Sequence, residues 1–306
     1  MSHSSSTNLA LVIGGGGAAG NAWAIGVVAG LAEAGVDLTE TADLVIGTSS
    51  GATAAAHVRS GIPPAELFAA VVAAPARPGR PGQPPRQRPM EPVFDQLRAI
   101  GAAATTAEGL RRALGAFGLE RDATFGPEET EKRRALVAAR LPSQDWPDRP
   151  MIIMAVDAHT GDAAPLTRDC GVELADAVTA STAMPGLGPT HRANGKNYVN
   201  GGVRSSENAD LAAGYATVVV LSPFGGWGDA PLPPGQFEGL RKMPGTDLKS
   251  QVAALREQGS RVEVLIPDAD SRAAMGIDQM DPATRIPSAR AGFEQGKREA
   301  SRLKFE

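Results

Sequence analysis

Gly47-Thr48-Ser49-Ser50-Gly51 sets a serine between two glycines. A short apolar run over 43–46 precedes it, and a run with helical character over 52–59 follows. A serine on a sharp strand-to-helix turn projects its oxygen clear of the backbone, and small flanking residues permit the strained turn. The helix N-terminus behind it favours developing negative charge. The chemistry of such a serine is nucleophilic acyl transfer. The competing reading is a tight strand-to-helix turn that happens to hold a serine, and the flanking strand and helix favour the nucleophile.

The second feature is Gly14-Gly15-Gly16-Gly17-Ala18-Ala19-Gly20, which follows an apolar run over 8–13. Gly15-x-Gly17-x-x-Gly20 after a first strand also fits a dinucleotide-binding fingerprint, which wants an acidic residue at the end of the second strand. Here the second strand runs into the serine turn, and Glu40 and Asp43 precede or open it. The ribose contact is therefore missing. The rival use of a glycine loop is an oxyanion hole, in which backbone N–H groups approach the oxyanion at about 2.7–3.1 Å. A glycine loop and a serine turn on neighbouring strands support each other as one site.

Such a serine needs a proton acceptor. His57 lies eight residues after Ser49 on the same expected helix, about 12 Å along its axis and too far to serve. His191 precedes a strand, and His159 sits in a turn-like Ala158-His159-Thr160-Gly161. The four histidines form no HxxxH pair and Cys170 is the one cysteine, so neither a metal site nor a disulfide framework is expected.

The elements that must hold these residues read as alternating strands and helices. Strands are expected over 8–13, 43–46, 151–157, 196–199, 216–221 and 262–266. Helices are expected over 21–34, 52–59, 106–115, 128–140, 172–181, 208–213, 248–258 and 287–303. Strand, glycine loop, helix, strand, tight turn and helix in the first sixty residues imply a parallel α/β sheet covered on both faces. The segment 75–92 carries seven prolines with Arg77, Arg80, Arg86 and Arg88 among them, and is expected to be a loop. Its sharper reading is a lid or docking segment over a site. Residues 1–7 are expected to be a disordered tail and 8–306 a single domain.

Composition narrows the function. With 42% hydrophobic and 21% charged residues the chain is ordinary for a globular protein. Thirty basic against 34 acidic residues, a net charge of −4, argue against a nucleic-acid binder driven by phosphate attraction. No apolar stretch reaches about 18 residues, and the N-terminus has no secretory pattern, so the expected location is cytoplasmic.

Gly-rich loop, GxSxG turn and a later Asn200-Gly201-Gly202 together resemble the patatin-like phospholipases. Ala180-Ser181-x-x-Met184-Pro185-Gly186 and Asn208-Ala209-Asp210 are similar to segments of bacterial members, and the likeness runs from about Asn8 to Leu221. The resemblance implies a patatin-like three-layer α/β fold with a mostly parallel central sheet. It implies a Ser–Asp dyad without histidine, acting on a lipid or acyl ester through an acyl-enzyme, with no cofactor. Carried over, Ser49 is the nucleophile, Gly15, Gly16 and Gly17 form the oxyanion hole, and Gly20, Gly47, Gly51, Gly201 and Gly202 complete the motifs.

Two positions depart from the family pattern. Ala19 stands where the family usually has Lys or Arg, and Asn200 occupies the place of the catalytic aspartate. An amide is a very poor base. Asn200 is thus a recent or introduced substitution in an intact site, or the mark of a non-catalytic acyl-ligand or membrane-surface binder. The remaining reading is that Asp157, Asp210 or His191 stands in. Acyl transfer to an acceptor other than water is a further use of the same scaffold.

Overall fold

The computed structural model describes residues 8–73, 91–225, 227 and 243–303. The expected tail 1–7 and residues 75–90 of the proline-rich segment lie outside the described residues. Residues 91 and 92 open a helix instead of ending a loop, because proline is well placed in a first helical turn, where its missing N–H has no partner to lose.

Eight strands form one sheet: β1 (Leu9–Ile13), β2 (Leu44–Thr48), β3 (Met151–Asp157), β4 (Ala163–Leu166), β5 (His191–Ala193), β6 (Lys196–Asn200), β7 (Thr217–Leu221) and β8 (Arg261–Leu265). The hydrogen-bonded order is β5-β6-β3-β2-β1-β7-β8, with β4 also on β3. The run β3-β2-β1-β7-β8 is parallel, whereas β4, β5 and β6 pair antiparallel. The fold is therefore a mixed α/β architecture with a mostly parallel central sheet.

The helices are α1 (Gly17–Glu33), α2 (Leu38–Thr41), α3 (Ser50–Val58), α4 (Pro64–Ala73), α5 (Glu91–Ala103), α6 (Ala107–Asp122), α7 (Pro127–Ala138), α8 (Leu174–Thr182), α9 (Leu248–Glu257), α10 (Ala269–Met275) and α11 (Arg285–Glu299). Side chains alternate across each strand, so β1 feeds both faces. Leu9, Leu11 and Ile13 join the core formed with α1, α3, α4, α8 and α11. Ala10 and Val12 join the core with α9 and the short turn Ala209–Ala212. Continuous apolar strands are what a sheet buried on both sides requires. Among the described residues no helix is long and apolar enough to cross a membrane.

The registers along β3 position the site. Residues 153 and 154 lie between β2 and β4, and residues 155 and 156 between β4 and β6. A residue has one partner on each side, so β2 and β6 must share the edge of β3 opposite β4. Strand β2 runs parallel to β3 and ends with Thr48 opposite Met154. Strand β6 runs the other way and ends with Asn200 opposite Ala155. The C-terminal ends of the two strands meet head to head.

Helix α1 is buried on nearly all sides and lies against α11 with little between the backbones. A Cβ on Gly26 or Gly30 would overlap the carbonyl oxygen of Ala289 or Phe293. The indole N–H of buried Trp23 donates to Gln295 Oε1 at 3.0 Å, which fixes the register of the pair. Helix propensity alone says that Gly30→Ala stabilises by about 1 kcal/mol. Overpacking costs about 1–3 kcal/mol and wins here. Gly30→Ala is expected to lower the urea midpoint, and a raised midpoint would show that the helices are not packed this closely.

Candidate active site

Ser49 takes φ +57°, ψ −125°, in the region that a non-glycine residue rarely enters. The turn is held by its neighbours. A Cβ at Gly47 would come within 2.6 Å of the Gly51 carbonyl oxygen and 2.8 Å of Ala55 Cβ. One at Gly51 would overlap the carbonyl of Ile13. Two glycines let β2, β1 and α3 close around the serine at distances no side chain allows. The Ser49 N–H donates to Ser181 Oγ at 2.9 Å, and the Ser181 hydroxyl donates to the Met154 carbonyl at 2.6 Å.

Asn200 reaches the serine directly. Its Nδ2 donates to Ser49 Oγ at 3.0 Å, while its Oδ1 accepts the Gly202 N–H at 2.7 Å. The backbone N–H of Asn200 donates to the Ala183 carbonyl at 2.8 Å. Gly201 fits because a Cβ there would overlap the Met154 carbonyl. Buried Asn208 ties the two strand ends together, donating to Thr48 Oγ1 at 3.1 Å and to the Gly201 carbonyl at 3.3 Å.

The glycine loop lies against the same serine. A Cβ at Gly15 would sit 3.2 Å from Ser49 Cβ. Its three middle N–H groups differ in their use. That of Gly15 donates to the Ser206 carbonyl and that of Gly16 to Ser50 Oγ, each at 2.9 Å. Gly17 opens α1, where the first N–H groups have no acceptor within the helix. Gly20 bonds back to the Gly16 carbonyl at 2.8 Å and lies against Pro223. Asn21 in the first turns of α1 donates to the Ser50 carbonyl at 3.1 Å, and Arg285 donates to Asn21 Oδ1 at 3.1 Å.

The other groups weighed as bases are engaged elsewhere. His191 Nε2 lies 2.9 Å from Asp176 Oδ1, and Asp176 also accepts from Arg134. Asp157 accepts the N–H groups of His159 and Thr160 and pairs with Lys196 at 3.5 Å. Asp210 forms a two-pronged ion pair with Arg204. His57 Nδ1 bonds to the Thr53 carbonyl at 2.7 Å, within its own helix. The sequence reading brought together Ser49, Asn200 and the glycine loop but did not anticipate the hydrogen bonds of Ser50, Ser181 and Asn208. Ser181 and Asn208 lie in the segments similar to bacterial family members, whose spacing shows no hydrogen bond.

Chemically, the site presents the hydroxyl of half-buried Ser49 to the planar neutral amide of Asn200. The amide gives a hydrogen to that oxygen and has no lone pair on nitrogen with which to take one. A carboxylate of the same shape would keep the Gly202 bond on one oxygen and accept the serine hydroxyl on the other.

A family model described as patatin-like phospholipase matches residues 11–213, more than half of the chain. No curated protein matches. Among solved structures, VipD from Legionella pneumophila is similar at 14% identity and a TM-score of 0.44, over 96% of this chain and 66% of VipD. The type III effector protein ExoU is similar at 14% identity and a TM-score of 0.35, over 94% of this chain and 53% of ExoU. The chain thus spans less than two thirds of the length of either.

Burial pushes the His191 imidazole below the ordinary histidine range against the opposing pull of Asp176, and burial likewise lowers His57. The folded state therefore takes up these protons at a lower pH than the unfolded chain, which does so near pH 6.5. Their contribution to stability is present above that pH and is lost as pH falls below it. Urea unfolding at pH 7.5 and 5.5 is expected to give a lower stability at 5.5, with a smaller drop in His57→Gln/His191→Gln. An equal drop in that double variant would contradict this assignment.

Proposed function

The chain belongs to the patatin-like phospholipase family, and from that premise we propose that it carries a serine acyl-hydrolase site for lipid or other acyl esters with its base position filled by an amide. The observation that carries the reading is the 3.0 Å contact from Asn200 Nδ2 to Ser49 Oγ. In the dyad, a carboxylate at position 200 takes the proton of Ser49. The serine oxygen attacks the ester carbonyl, the alcohol leaves, and water hydrolyses the acyl-enzyme.

The oxyanion falls to the glycine loop. Gly17 offers its N–H from the start of α1. Gly16 joins it once the Ser50 hydroxyl rotates away from the 2.9 Å bond it now accepts. Gly15 holds the loop in place through Ser206. With asparagine at 200 the oxygen is positioned but not deprotonated. General base catalysis contributes about 10²–10⁴-fold. Losing it leaves binding and oxyanion stabilisation, a residual acceleration of about 10³–10⁴ over water.

One observation favours a second reading. The Gly202 N–H pins Asn200 Oδ1, so the amide keeps its donor face on Ser49. A site so arranged holds an acyl ligand without turning it over.

Hydrolysis of a p-nitrophenyl ester separates the two. Asn200→Asp is expected to exceed the parent chain by about 10²-fold or more, in the range of a general base. Adding Ser49→Ala to that variant is expected to abolish the gain. No gain in Asn200→Asp would sink the hydrolase reading, and acyl-ligand binding of unchanged affinity in Ser49→Ala together with no turnover in any variant would favour the second.

A further inference from the structure

Among the described residues three large apolar side chains are exposed: Leu136 on α7, Ile277 at 73% and Met280 at 45%. The last two share one short segment, 276–281, between α10 and the turn Pro282–Thr284 that precedes α11. That segment is bonded onto the glycine loop. The Gln279 carbonyl accepts the Ala19 N–H at 3.0 Å, and a Cβ at Gly17 would lie 2.9 Å from Met280 Sδ. Gly17 is two residues from Gly15, whose Cα faces Ser49. Two residues of chain span at most about 7 Å, so the exposed apolar tip stands at the rim of the serine site.

Its shape is fixed rather than adaptable. Gly276 reverses the chain at φ +65° after α10. Asp278 Oδ1 accepts the Met280 N–H at 3.0 Å, the Asp281 N–H donates to the Asp278 carbonyl at 3.1 Å, and Asp281 Oδ1 accepts the Ala283 N–H at 2.9 Å. These bonds hold the Gln279 side chain inward, where it is buried, and turn Ile277 out to solvent, while Met280 lays its sulfur against Gly17 and stays exposed along its outer side. Water gives an outward isoleucine nothing, and burial of such a side chain is worth a tenfold or larger partition factor by rough transfer arithmetic.

We propose that the turn 276–281 is a lipid-surface anchor that inserts Ile277 and Met280 among the acyl chains of a zwitterionic phospholipid layer and brings the mouth of the serine site onto it. The choice of partner rests on the lipid-ester reading above: an ester with long acyl chains resides in such a layer, and the anchor adjoins the loop that faces its carbonyl. The charges select the kind of surface. Asp278 and Asp281 flank the tip with carboxylates, which disfavour an anionic layer. Arg285, just beyond, turns its guanidinium inward to Asn21 and offers the tip no compensating cation.

Co-sedimentation with phosphatidylcholine vesicles tests the anchor without requiring turnover. The chain is expected to sediment with the vesicles at low and high salt alike. Ile277→Asp is expected to lower the partition roughly tenfold or more, with its thermal unfolding unchanged because the side chain is exposed. In an Asn200→Asp background, Ile277→Asp is expected to keep hydrolysis of a soluble short-chain ester and to lose release of fatty acid from vesicles. Equal partition of Ile277→Asp and the parent overturns the proposal, as does failure of the parent to bind. Binding confined to phosphatidylserine vesicles and removed by salt also overturns it, and shifts attention to the arginines of 75–92. If Asn200→Asp hydrolyses no ester, the hydrolase reading fails while the vesicle partition still decides the anchor.

Discussion

One edge of β3 is divided between two strands that arrive from opposite directions, and the site is built where they stop. Parallel β2 ends opposite Met154, and antiparallel β6 ends opposite Ala155. Neither strand can continue without running into the other, so both chains leave the sheet at that point. The first leaves through the strained turn at Ser49, the second through the tight turn Gly201–Val203. The exits face each other, and this is why two residues 151 positions apart in sequence come within 3.0 Å. The supporting bonds gather at the same junction. The Met154 carbonyl takes the Ser181 hydroxyl, and Asn208 clamps Thr48 to Gly201.

At that junction the identity of one atom sets the direction of the hydrogen bond to Ser49 Oγ. The nitrogen of Asn200 and a carboxylate oxygen occupy the same volume, but the first donates to Ser49 Oγ and the second accepts from it. Position 200 is buried, at 6% exposure. Burial disfavours the charged form of a carboxyl group and raises its proton affinity, which is the direction a general base needs. The Gly202 N–H works the other way and favours the ionised form. Under the proposed dyad, the same two features that hold the Asn200 amide in place would thus suit a poised carboxylate there.

Much of this was legible in the chain. The strands over 8–13, 151–157 and 216–221 announce themselves as largely apolar runs, and the structure places β1, β3 and β7 there. Serine turn and glycine loop were readable because glycine is demanded wherever backbones touch, as Gly51 does against β1. Other elements were hidden by the same residue. The expected helix over 106–115 continues to Asp122, since Gly115 and Gly118 do not end it but rest on Ala158 and Val199. Short edge strands such as β4 and β5 carry too few residues to show a period. The expected helix over 208–213 is a tighter turn, Ala209–Ala212, with Asn208 left-handed before it. The commitments of Gly15 and Gly16 to Ser206 and Ser50 depend on how distant loops fold together, and no local pattern encodes them.

The central claim is that Ser49 is correctly placed and lacks only a proton acceptor. Its most direct test is covalent labelling with a fluorophosphonate, followed by intact mass and peptide mapping, in the parent chain and in Asn200→Asp. The account predicts a single adduct on Ser49 in Asn200→Asp, formed about 10²-fold or more faster than in the parent. Equal labelling rates in the two proteins, or an adduct on another residue, would contradict it.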